Sequence, residues 1–171
     1  MEELIDKSIN LRFLNLPQLN ELKRLIDDEH LNDILKQKLS GRGERDDDLE
    51  YKYDIIIENQ RGMKFFGIPL FSKNSLLPFD PSNYQLINGK NLKLINNSIN
   101  NYPLPDLNWV WHWKTWYILM INDVDDQGWI YSRFYFNSHH WKGKYYFGNF
   151  IRRRIWVRLR TRQVELKEDS D

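Results

Sequence analysis

Hydrophobic and polar positions alternate most strictly over residues 151–162, which read Ile-Arg-Arg-Arg-Ile-Trp-Val-Arg-Leu-Arg-Thr-Arg. Successive side chains of a strand point to opposite faces. One face of this segment then carries Arg152, Arg154, Trp156, Arg158, Arg160 and Arg162. The other carries Ile151, Arg153, Ile155, Val157, Leu159 and Thr161, mostly apolar and suited to a core. Period two recurs at 129–136, where Trp129, Tyr131, Arg133 and Tyr135 alternate with Ile130, Ser132, Phe134 and Phe136. Residues 114–122 are apolar on both faces, which predicts a central, buried strand. Between them, Asp123-Val124-Asp125-Asp126-Gln127-Gly128 has the Asp and Gly of a turn and predicts a hairpin. A further strand is predicted over 51–58, centred on Ile55-Ile56-Ile57. Residues 75–101, rich in Asn, Pro and Ser, predict long irregular structure with a brief strand at Leu92-Lys93-Leu94.

Helical spacing is confined to the first part of the chain. Leu19, Leu22, Leu25, Ile26, Ile34, Leu35 and Leu39 recur at that period, from a start at Leu16-Pro17 to a stop at Ser40-Gly41. Asp27-Asp28-Glu29 interrupts the stripe, so two short helices are an alternative to one. Such a helix packs on the β domain or on a partner; its polar face is not basic enough for a membrane-surface helix. The expected organisation is a helical extension and charged linker over 1–50, a β domain over 51–162, and a charged tail over 163–171. The fold class is mainly β: an antiparallel core with a short α-helical N-terminal extension.

Charge changes the picture more than composition does. The net charge is +1, yet no acidic residue occurs between Trp129 and Arg162, while acids gather before Glu50. A face of arginines would repel itself unless flat, electron-rich groups lay between them. The residues upstream and within supply such groups: Trp109, Trp111, Trp113, Trp116, Trp129, Tyr131, Trp141 and Trp156. Arg stacks on aromatic faces for roughly 0.5–1 kcal/mol when exposed and about 2 when desolvated. The candidate site is therefore a structural stack of these rings with Arg133, Arg152, Arg154, Arg158 and Arg160. Lys142, Lys144 and Arg153 lie in or beside the flanking loops and are candidate contacts for anionic lipid or a partner.

Other chemistries find little support. The absence of Cys excludes disulfides and thiolate metal sites and suggests a reducing, cytoplasmic home. No apolar run approaches the ~20 residues that span a bilayer. The Asp123 loop opens like an EF-hand, but Gln127 and Phe134 occupy positions that need oxygen ligands. His139 and His140 are adjacent and would face opposite ways on a strand. Ser138 beside His139 lacks the nucleophile-elbow motif. No phosphate-binding glycine pattern is present. An enzyme, a cofactor, a metal and a small-molecule substrate are thus not expected. The basic–aromatic strand suits nucleic acid, but the aromatics can occupy the arginines internally and no RNA-module signature is present, so nucleic acid is not expected.

Several fragments together resemble the DysF domain of ferlins and of yeast peroxins of the endoplasmic reticulum. They are Ile57-Glu58-Asn59-Gln60-Arg61, Gly67 and Leu76-Leu77-Pro78. With them go Trp113-Lys114-Thr115-Trp116-Tyr117 and Asp125-Asp126-Gln127-Gly128-Trp129-Ile130-Tyr131. Trp141 and Arg152-Arg153-Arg154-Ile155-Trp156-Val157-Arg158 complete the set. The resemblance implies an all-β module held by Arg–aromatic stacks, without catalysis, in proteins that serve intracellular membranes. The short, stand-alone organisation resembles the sporulation-specific yeast members, which implies a peripheral adaptor with a membrane-associated protein partner in prospore membrane extension. The alternative it implies is a peroxin-like role at the endoplasmic reticulum in peroxisome number or size.

Overall fold

A computed structural model describes residues 8–11, 49–121 and 123–164. The helix predicted over 16–40 lies outside the described residues, as does most of the charged tail. In chain order the strands are β1 (Ser8–Leu11), β2 (Leu49–Arg61), β3 (Lys64–Phe65), β4 (Ile68–Pro69) and β5 (Tyr84–Leu86). They continue with β6 (Asn91–Leu92), β7 (Val110–Trp111), β8 (Tyr117–Ile121), β9 (Ile130–Ser132) and β10 (Ile151–Gln163). Three 3-10 turns, and no α-helix, occur among the described residues. Of residues 1–50, which were expected to hold a helical extension and linker, Ser8–Leu11 is a strand paired in parallel with β8, and Leu49 and Glu50 open β2.

The frame is one long antiparallel pair. β2 and β10 have 13 residues each and pair along their whole length, from Ile151 opposite Arg61 to Gln163 opposite Leu49. Neither contains Gly or Pro, and their β-branched and aromatic residues suit a pleated surface. At the usual rise the pair spans about 40 Å. β5 and β6 extend the sheet beyond β2. On its other edge β10 receives three short strands in series: β9 at 151–153, β8 at 156–157 and β7 at 160–161. A separate two-stranded hairpin joins β3 to β4.

This arrangement corrects the predicted hairpin. The strand expected at 114–122 is Tyr117–Ile121, the one expected at 129–136 is Ile130–Ser132, and each pairs with β10 rather than with the other. The cause lies at Gly128. Its φ is +80°, and a side chain there would collide with Ile118 Cγ2 and crowd Met120 Sδ. The turn therefore folds over the side chains of β8 instead of extending its ladder. Asp125 fixes it: one carboxylate oxygen accepts from the backbone N–H of Gln127 and Trp129, the other from the Tyr131 hydroxyl. Burial first, and then that bond, push the Tyr131 hydroxyl up to about 12.

Both faces of the frame are buried. On the ladder face Ile56, Tyr84, Ile99 and Trp116 form a core, with Leu92, Leu94, Tyr102, Trp111 and Trp156 packed against it. On the other, Ile57, Ile151, Val157 and Leu159 are buried.

Candidate functional site

The even-numbered residues of β10 meet their rings in sequence. The Arg152 guanidinium carbon lies 4.7 Å from the Phe71 ring and 3.9 Å from Trp129. Arg154 lies 4.2 Å from Trp129 and 4.7 Å from Trp156. Trp129 thus separates two guanidinium groups. Arg158 sits 4.2 Å from Trp111, and Arg160 and Arg162 share Trp109 at 4.7 Å each. Pairing explains why these rings reach the ladder. Trp111 is opposite Arg160 and Tyr131 is opposite Arg152, so each shares its partner's face.

Rings are half of what balances the ladder. Glu50, Asp54 and Glu58 on β2 stand opposite Arg162, Arg158 and Arg154. Glu58 accepts from Arg154 Nε and from the Trp156 indole N–H, both at 2.7 Å. Asp54 pairs with Arg160 at 2.8 Å and Glu50 with Arg162 at 2.6 Å. The Gln60 side-chain oxygen accepts twice from Arg152, and the backbone carbonyls of Trp113 and Lys114 accept from Arg158. Burial pushes the Asp54 carboxyl up to about 6, against the pull of Arg160, Lys52 and Arg158. Burial likewise lowers Arg152 and Arg158. The acidic partners went unread in the sequence, although Glu50, Asp54 and Glu58 share one parity along β2.

The remaining candidates divide between locations. Trp116 is buried in the core, edge-on to Tyr102, with no arginine of the described residues on its ring. Trp113 meets Tyr53 and Tyr117 edge-on. Arg133 is exposed and meets no ring among the described residues. Trp141 lies on the opposite face, over Arg153 at 4.5 Å. Arg153 is itself a correction. It was a candidate surface contact, but it is 5% exposed, with Phe136 5.3 Å away and its Nε donating to Asn59 Oδ1. Burial alone pushes it down to about 9. It belongs to a second, smaller stack with Arg61, which lies 4.8 Å from Phe134 and 5.9 Å from Phe136. Arg61 is held bidentately by Asp80 at 2.7 and 2.6 Å. The inward parity of Arg153 on β10 was the signal for its burial.

Lys142 and Lys144 are exposed, each near the Tyr146 ring at 5.6 and 5.7 Å. Phe147 beside them is 98% exposed, and Phe66, at the tip of the β3–β4 hairpin, is 90% exposed. The two loops are neighbours, because the Tyr145 hydroxyl accepts from the Lys64 backbone N–H. Ser138 and His140 are tied into a turn, the Ser138 hydroxyl accepting from the His140 backbone. Among the described residues no group of His, Asp or Glu is placed to hold a metal ion.

Fold and stacks define a class: a mainly β module in which the arginines of its longest basic strand are engaged by internal rings, carboxylates, amides and backbone carbonyls. No family model matches the chain. It is 41% identical over 118 residues to the Meiotically up-regulated gene 65 protein of Schizosaccharomyces pombe, covering 68% of this chain and 46% of that protein. It is also 41% identical over 127 residues to Sporulation-specific protein 73 of Saccharomyces cerevisiae, covering 63% of this chain and 85% of that protein. The chain belongs to the family of Sporulation-specific protein 73. It spans about half the length of the longer fission-yeast relative.

Proposed function

We propose that the chain is a non-enzymatic adaptor of the DysF type, acting in sporulation at the prospore membrane. There it holds a membrane-associated protein and touches anionic lipid directly. The names of its two relatives support the sporulation setting. The observation that carries the membrane contact is the pair of neighbouring loops with bare tips. Phe66 and Phe147 protrude almost fully exposed, with Lys142 and Lys144 beside them. Exposed apolar groups of this kind mark interaction surfaces, and nearby lysines are drawn to anionic headgroups, each for about 1 kcal/mol near the surface. Among the described residues no helix is long and apolar enough to cross a membrane, so the reading is of peripheral contact.

Flotation with phosphatidylserine–phosphatidylcholine vesicles at low salt tests this. The parent should float, and Phe66→Ser with Phe147→Ser should abolish flotation while the melting curve stays parent-like. A parent that stays at the bottom of the gradient overturns direct lipid contact. Affinity capture from sporulating cells tests the partner. Tagged chain found on the endoplasmic reticulum of vegetative cells would instead favour the peroxin-like role.

A further inference from the structure

On the face opposite the ladder lies a cavity of about 330 Å³, lined by Phe79, Asp80, Gln85, Tyr135, Phe136 and Arg153, with Pro81 and Asn137 completing it. Its distinctive member is Arg153. The side chain is buried, and no carboxylate pairs with it among the described residues. Its Nε is used by Asn59, and its ring contacts are Trp141 and Phe136. Nη1 and Nη2 make no hydrogen bond to a described residue, and Arg153 lines the cavity. A buried, uncompensated charge is costly. What this arginine still offers is the fork edge that binds a planar anion bidentately.

The rest of the lining sets the charge and body of that anion. Asp80 is committed to Arg61 and to the Leu77 backbone N–H. Asp80 nevertheless lines the cavity, and its negative charge opposes a second one on the ligand. One guanidinium beside one neutralised carboxylate matches a monoanion rather than a phosphomonoester dianion. Phe79 and Tyr135 form exposed apolar walls, 64% and 60% exposed, suited to the stem of a side chain. Gln85 is already bonded to Asn59 and Gly89, whereas Asn137 is exposed at the rim.

We propose that this cavity receives a single peptide carboxylate, from an Asp or Glu side chain or the C-terminus of a partner protein, on Nη1 and Nη2 of Arg153. The site lies on the other face from the ladder and uses none of the loop residues assigned to lipid, so it stands or falls independently of the membrane reading.

The test is NMR titration of the chain, following the Arg153 Nε–H and the Trp141 indole N–H. The probes are N-acetylphenylalanine, its amide, inorganic phosphate and dihexanoyl phosphatidic acid. The carboxylate should shift both signals saturably and the amide should not. Arg153→Gln should weaken binding by about tenfold or more, whereas the exposed Arg133→Gln should bind as the parent does. Should Arg153→Gln fail to fold, Tyr135→Ala removes an exposed wall and should weaken binding with an unchanged melt. Equal shifts from acid and amide, saturation by phosphate or phosphatidic acid but not by the carboxylate, or no shift from any probe would each overturn the proposal.

Discussion

Arg158 is held by three groups at once: the Trp111 ring and the backbone carbonyls of Trp113 and Lys114. Lysine would keep the charge but lose the flat face and the two-pronged donor. Arg158→Lys should therefore destabilise nearly as much as Arg158→Ala, by roughly 1–3 kcal/mol in urea melts. Trp129, 2% exposed between Arg152 and Arg154, carries more. Trp129→Ala should cost about 3–5 kcal/mol, exceeding the change at the half-buried Trp156. Asp54 gives the ladder a pH dependence. Its folded pKa, about 6, lies above the unfolded value of 3.8. The protonated form thus favours the fold, and this contribution is full below about pH 4 and lost as pH rises through about 6. Between those limits the parent should lose up to about 3 kcal/mol that Asp54→Asn does not lose. Parallel denaturation curves for the two at both pH values would refute it.

At the scale of elements, the Asp125–Gly128 turn is the most exacting. Gly128→Ala adds a methyl into Ile118 at a left-handed φ, so it should destabilise by roughly 1–3 kcal/mol. Ile118→Ala in the same chain should recover only part of the melt, because the backbone strain remains. β10 was legible because period two over a long run admits one reading, and its inward apolar set followed from parity; Arg153, read as a surface contact despite the same parity, is buried with that set. The hairpin misled because alternation states which way side chains point, not which strand lies beside them. β8 and β9 both found β10. β5 was missed since three residues are too few to show a period, and its place is set by Ile56 and Glu58 across from it. The second stack escaped because Arg61, at the end of β2, meets Asp80 and Phe134 from two distant loops.

The whole molecule is nearly neutral, and its densest basic strand faces its own carboxylates and rings. On the proposed reading, attraction to an anionic surface comes from exposed loop cations, Lys142 and Lys144 among them. Vesicle binding should fall between about 50 and 300 mM salt as the Debye length shrinks. Lys142→Glu with Lys144→Glu should remove most of that salt dependence without moving the urea midpoint. The long β2–β10 pair has one further consequence, in time rather than in space. Its side-chain partners stand 92 to 112 residues apart, as Gln60 with Arg152 and Glu50 with Arg162. Loop closure over that distance comes before any reward from pairing, so refolding belongs in the millisecond-to-second range of sheet proteins. During synthesis β2 waits on the ribosome with its ladder edge unpaired until β10 emerges. For some seconds, at about 5–20 residues per second, the nascent chain is a client for chaperones rather than a folded domain.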